Sequence, residues 1–190
     1  MFTALFIVSF AGLILFSGTY LDVSRIQEKV NKIGRNVETV LRGKVQSNVR
    51  KCGEEICIDL YIHFPIDKDS INLGDRAIVK AVALSMKKAF DQLTSEELRV
   101  IELVIEGHTD NQQPGIRLNP RDRFLYNWNL SSRRATAVLY EFSDAGMKPP
   151  RYNIVAIGYA DSQPLYRSSS PHAAQNRRTT LRIRVDSKKL

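Results

Sequence analysis

The sequence predicts an α+β fold: a two-layer sandwich of a mixed sheet with helices on one face, preceded by one transmembrane helix. Three observations predict it. Ile56, Ile58, Leu60, Ile62 and Phe64 alternate with Cys57, Asp59, Tyr61 and His63, the period of a half-buried strand. Ile78, Val82, Met86, Ala89 and Leu93 recur at helical spacing, with Lys80, Lys87, Lys88 and Asp91 elsewhere. The elements run strand, strand, helix, strand, helix, strand, strand, and helices set apart from runs of strands favour a two-layer α+β arrangement.

The first segment, Phe2 to Leu21, is 20 residues without a charge. At about 1.5 Å per residue it measures about 30 Å, the thickness of a hydrocarbon core. A cleaved signal peptide is the rival, but Met1 to Leu21 holds no Lys or Arg and shows no clear A-x-A-like site. We therefore expect an uncleaved anchor over residues 1–21. Arg25, Lys29, Lys32 and Arg35 follow it, and the positive-inside rule would hold them in the cytoplasm.

Over residues 22–44, Val23, Ile26, Val30, Ile33, Val37 and Val40 step by 3, 4, 3, 4 and 3, an a/d heptad pattern. Gly34 costs such a helix about 1 kcal/mol. The pattern predicts a parallel coiled coil continuing the membrane helix, hence a homodimer. The alternative is one amphipathic helix lying on its own domain.

Residues 45–190 form the remaining domain. A hairpin over 45–64 turns at Gly53-Glu54. A helix follows over 74–93, then a buried central strand from Arg99 to Glu106. Gly107 to Tyr126 holds Pro114, Gly115 and Pro120 and reads as a loop. Leu130 to Phe142 reads as the second helix, with Asn129 as N-cap, stopped by Gly146 and the Pro149-Pro150 pair. Asn153 to Tyr159 is a strand, and Leu181, Ile183 and Val185 alternate with Arg182 and Arg184 in the last one.

Composition bounds the function. Apolar residues are 43% and charged residues 25%, which excludes wholesale disorder. One possible span excludes a polytopic membrane protein. The net charge of +8 points to an anionic partner: nucleic acid, anionic lipid or anionic cell-wall polymer. Zinc-finger spacing and RNP-type motifs are missing, and with the N-terminal span this argues against nucleic acid. Cys52 and Cys57 would bridge the hairpin in an oxidising compartment and stay free thiols in a cytosolic one. A zinc site would need two further ligands at suitable spacing.

Two segments carry chemistry. Gly107-His108-Thr109-Asp110 ends a buried strand, where a carboxylate meets a ligand. Asn127 to Ala135 reads as a helix start, whose free N–H groups and dipole favour an anion, and Arg134 just inside it adds a bidentate carboxylate donor. Asp110 and Arg134 together would hold a ligand carrying an ammonium and a carboxylate, such as the D-centre of a diamino acid. An Asp110–Arg134 salt bridge is the bland alternative. Catalysis is not indicated. His108-x-Asp110 lacks a third metal ligand, and Ser131, Ser132 and Ser168 to Ser170 lack a nucleophile-elbow context. We expect no catalytic residue, metal or cofactor.

Gly107-His108-Thr109-Asp110, then Asn-x-x-Leu-Ser-x-x-Arg-Ala at Asn127 to Ala135, then Asn176-Arg177-Arg178, resemble the C-terminal OmpA-like peptidoglycan-binding domain family over residues of about 45 to 186. Asn127 to Ser131 and Gly158 to Leu165 are closest to its MotB branch, the flagellar stator B subunits. The resemblance implies that Asp110 and Arg134 hold the diaminopimelate of the peptidoglycan stem peptide. It places Thr109, Asn127 and Leu130 in the same pocket, and gives Arg178 either a ligand contact or a role in holding the last strand. Trp128 is read as packing.

One departure bears on function. Stator subunits of this branch carry an Asp within the membrane helix to take up the driving ion, whereas Phe2 to Leu21 has no acid and Asp22 lies at its far end. The leading expectation is therefore a non-catalytic, membrane-anchored peptidoglycan binder of the inner membrane, its C-terminal domain in the periplasm. The alternative is a stator subunit of an ion-driven flagellar, defence or secretion machine, acting with a multi-span stator A-type membrane protein.

Overall fold

The computed structural model describes residues 23–42, 47–62, 64, 68–110, 118–186 and 189. The expected span over 2–21, and His63, lie outside the described residues. No helix among the described residues is long and apolar enough to cross a membrane.

Helix α1 covers residues 23–41. Strands β1 (Ser47–Cys52) and β2 (Glu55–Leu60) form the hairpin, turning at Gly53, whose φ of +67° suits glycine. Helix α2 (Leu73–Phe90) follows, capped by Asn72. Helix α3 (Ser95–Val100) leads straight into β3 (Ile101–His108). Sequence reading missed α3, although Thr94 and Glu97 form the reciprocal capping box that announces a helix start. Helix α4 (Pro120–Asp144), β4 (Ile154–Gly158), a 3₁₀ turn (Ala173–Asn176) and β5 (Arg178–Val185) complete the chain.

The sheet order is β1-β2-β5-β3-β4, antiparallel except for the parallel β3–β4 pair. Register puts Ile58, Leu181 and Ile105 side by side, and next to them Ile56, Ile183, Leu103 and Ile154. All seven join one core with Val79, Val82, Met86 and Phe90 of α2 and Val138 and Phe142 of α4. This is the predicted mixed sheet with helices on one face.

Two expectations are corrected. The heptad residues Ile26, Val30, Ile33 and Val37 are buried in this same core rather than in a seam with a second chain. Gly34 marks the contact: a Cβ there would stand 2.9 Å from the Ile56 side chain, so the glycine allows close packing of α1 on β2. The amphipathic-helix alternative holds, and α1 is part of the domain rather than a coiled-coil linker. The second correction concerns α4. It begins at Pro120, not after Asn129, because Asn119 caps it by accepting from the Asp122 N–H at 2.9 Å and Pro120 occupies the first turn, where its missing N–H costs nothing. Residues 127–135 thus lie inside the helix, and the free N–H groups expected there are tied up in its backbone.

The opposite face of the sheet carries a ladder of ion pairs. Asp59, fully buried, takes Arg50 at 2.8 Å, Thr180 at 2.6 Å and Arg178 at 3.3 Å. Arg182 binds Glu106 at 2.6 Å and Glu55 at 2.8 Å. Cys57, expected on a polar face, does share this face but is fully buried, and it is disulfide-bonded to Cys52 across the turn.

Candidate functional site

The site is built where β3, β4 and β5 meet α4. Gly107 and Gly158 stand opposite each other in the β3–β4 register. A Cβ on Gly107 would come 2.0 Å from the Ser131 carbonyl oxygen, and one on Gly158 2.3 Å from the Ser132 hydroxyl. Two glycines facing two serines let α4 lie directly on the strand ends. Ser131 also reaches past the sheet: its hydroxyl accepts from the Ala160 N–H at 3.0 Å. Ala160, held at φ +48°, returns its carbonyl to the Thr109 N–H at 2.8 Å. Thr109 and Asp110 are thereby fixed just beyond β3.

Asp110 meets a cation, and that cation is Arg177, whose Nη1 lies 2.5 Å from its carboxylate. Arg177 is 45% exposed on its side chain, Asp110 only 12%. Asn176 sets up the arginine pair. Its amide accepts from the N–H groups of Leu165 and Tyr166 and donates to the Tyr166 carbonyl, pinning the β4–β5 connection. Arg178 then enters β5 buried, bonded to Asp59, Thr180 and the Gln163 carbonyl. Of the two roles left open for Arg178, the holding of the last strand is visible.

Arg134 projects from the middle of α4. Its Nε donates to the Lys68 carbonyl at 3.1 Å and its guanidinium lies over the Phe64 ring, 4.9 Å from the centroid. Neighbouring Arg133 reaches Asp69 at 3.5 Å, so α4 holds the segment after β2 at two points. A cavity of about 260 Å³ opens here, lined by Tyr61, Phe64, His108, Arg134, Arg177 and Arg178 among others.

Of the predicted residues, Arg134 and Arg178 line this cavity directly. Asp110 joins it through Arg177. Asn127 and Leu130 are buried on the α4 face that carries Arg134, two turns and one turn before it respectively, and Thr109 is buried beside Asp110. None of these three is among the residues lining the cavity. Sequence reasoning missed His108, Arg177, Tyr61 and Phe64 as cavity walls. The β3 alternation held the signal for His108, since it falls on the same face as Glu106.

The electrostatics are set by burial. Burial lowers the His108 pKa below its ordinary value, the Arg178 charge adds to this, and Glu106, at 3.4 Å, opposes it. Burial alone would raise the Glu106 carboxyl, but the neighbouring His108 and its ion pair with Arg182 outweigh that and its pKa is lowered. Guanidinium groups beside an acid suit a zwitterionic or anionic ligand. Among the described residues no three His, Cys, Asp or Glu side chains gather as a metal site.

Comparison with known proteins agrees with the arrangement. Residues 64–178 match the family model described as the OmpA family. A MotB-like protein of Desulfovibrio vulgaris superposes with a TM-score of 0.64 at 22% identity, over 88% of this chain and 98% of that one. The periplasmic domain of Helicobacter pylori MotB gives 0.59 at 16% identity, over 77% and 84%. The cell wall anchor of the Pseudomonas aeruginosa T6SS gives 0.58 at 18%, over 80% and 96%. At these identities the likeness is one of fold. No match was found among curated proteins.

Proposed function

The chain belongs to the OmpA family, and from that premise we propose that it is a non-catalytic peptidoglycan-holding domain tethered to the cytoplasmic membrane. One observation carries the reading: Asp110, through Arg177, and Arg134 converge on a single cavity at the ends of the central strands. A diaminopimelate D-centre offers a carboxylate to Arg134 and an ammonium to Asp110. Arg177 now occupies the carboxylate that the ammonium takes, and its exposed position lets it swing out as the ligand enters.

The position of the site supports the same reading. Val23, at the start of α1, shares a groove with Glu54, Glu55 and Val185 at the base of the sheet. The cavity sits at the other end of β5, beside Arg178. With eight residues in β5 these ends are roughly 20–25 Å apart. A chain leaving the membrane through Phe2 to Leu21 therefore presents its site on the far side, toward the periplasm and the cell wall.

The test is sedimentation of the solubilised full chain with purified peptidoglycan. Wild type is expected in the pellet, and Asp110→Ala and Arg134→Ala in the supernatant with unchanged circular dichroism. Co-sedimentation of both variants would overturn the assignment. A stator-type role would use the same anchor, and the near-complete coverage of the MotB-like protein favours keeping it as a second reading. Co-purification with a multi-span membrane protein would establish it.

A further inference from the structure

His108 has no evident task in the fold. Its side chain is 1% exposed, and its ring stacks on Tyr159 at 5.6 Å with the planes 15° apart. Among the described residues neither ring nitrogen has a hydrogen-bond partner, although Nε2 lies 3.4 Å from Glu106. Buried polar atoms normally find partners. The Thr109 and Thr179 hydroxyls are buried and unbonded as well, so orphaned polar atoms gather at these strand ends. His108 is the one among them that lines the cavity.

We propose that His108 is a ligand-contacting residue of the cavity floor, donating a hydrogen bond to a carboxylate oxygen of the bound ligand and taking up a proton from solvent as it does so. This rests on the peptidoglycan reading and adds to it a group that senses the ligand's charge. The groups around the imidazole explain the coupling. Glu106 adjoins it on β3, Asp59 acts from β2 and Arg178 from β5, while Tyr61, just past β2, lines the cavity. Arg177 and Arg134 line the same cavity, and Tyr159 covers the ring. Without ligand, burial and Arg178 keep the imidazole neutral, and the Glu106 carboxylate is engaged by Arg182. A carboxylate entering the cavity adds a negative charge at short range, which favours the imidazolium. Its Nε2–H then faces Glu106, and Nδ1–H serves the ligand. One proton leaves the buffer for each imidazole converted, and affinity rises as the pH falls below neutrality.

Isothermal titration calorimetry of the solubilised full chain tests this, with a stem tripeptide ending in diaminopimelate. The titration is run at pH 7 in two buffers of different ionisation enthalpy. Wild type is expected to show a buffer-dependent enthalpy corresponding to fractional proton uptake. His108→Gln, which can hydrogen-bond but does not titrate, should lose that dependence and bind about tenfold more weakly. The same tripeptide with its diaminopimelate carboxylate amidated should bind wild type without proton uptake. Tight wild-type binding with no buffer dependence would overturn the role of His108 and leave the peptidoglycan reading intact. No binding by wild type would overturn both. Should His108→Gln fail to fold, the wild-type buffer dependence decides alone.

Discussion

Gly107 on β3 lies directly beneath the Ser131 carbonyl of α4, so that a methyl group at position 107 would stand 2.0 Å from that oxygen. The obstacle is helix backbone, which cannot turn aside as a side chain would. Gly107→Ala must therefore lift α4 from the strand ends. Overpacking of this kind costs about 1–3 kcal/mol, which for a chain of this size lowers the thermal midpoint by roughly 2–12 °C. Because α4 carries Arg134, peptidoglycan sedimentation should weaken too. Gly53→Ala is the control, since a Cβ there meets nothing within 4 Å and only the φ of +67° resists it. Differential scanning calorimetry of the two variants should rank Gly107→Ala well below Gly53→Ala.

Arg134 is expected to be irreplaceable by lysine. Its guanidinium combines a bond to the Lys68 carbonyl with a position over the Phe64 ring, and a planar fork does this while still offering N–H groups to a carboxylate. An ammonium is a point charge that cannot serve all three. Arg134→Lys should lose at least about tenfold in affinity for the stem tripeptide, with thermal stability little changed. Wild-type affinity in this variant would mean that charge alone suffices.

Asp59 anchors two arginines and a threonine from a fully buried position. Its removal leaves Arg178 buried beside no carboxylate. Breaking one partner of such a buried pair costs about 3–5 kcal/mol. Asp59→Ala should show that loss in the urea midpoint, and Arg50→Ala a much smaller one, because Arg50 is nearer solvent. Equal losses would show that the ladder does not depend on Asp59.

What was legible in the sequence follows from the range of each signal. The hairpin, α2 and the order of strands announce themselves through apolar period and local turn chemistry. The first ten residues of α4 do not, because Phe124 and Leu125 are exposed and blur the period, while Pro120 reads as a break unless Asn119 and Asp122 are seen as its caps. The a/d spacing of α1 says correctly that one face is buried. It cannot say whether a sheet or a second helix covers it, since both ask for the same stripe. Asp110 and Arg134 stand out as a carboxylate at a strand end and an arginine in a motif-bearing segment, and the family resemblance strengthens that reading. The Asp110–Arg177 pair joins residues 67 apart and has no local signature.

The placement of α1 yields its own prediction. Val30 and Val37 are fully buried against the sheet side of the core. Truncation of either to alanine should cost about 1–3 kcal/mol. In a coiled-coil seam the loss would depend on protein concentration, because dissociation would accompany unfolding. Here the thermal midpoint of Val30→Ala and Val37→Ala should fall by the same amount at any concentration, with the sedimenting mass unchanged. A concentration-dependent shift would restore the seam.

Acid should destabilise the domain in two steps with separate owners. Burial lowers the folded pKa of His108 below the unfolded value of about 6.5, so the unfolded chain binds a proton that the folded one refuses. Stability is therefore full above about pH 6.5 and declines as pH falls toward the folded value. Glu106, lowered despite its burial by the neighbouring His108 and Arg182, stabilises the fold above the unfolded carboxyl value of about 4.3, and that contribution is lost as pH falls through its folded value. Urea midpoints taken from pH 8 to about pH 2 should show both declines in wild type. His108→Gln should lack the upper one while keeping the lower. Parallel curves for the two proteins would mean that the buried imidazole takes its proton as readily in the folded chain as in the unfolded one, and that the cavity floor is wet.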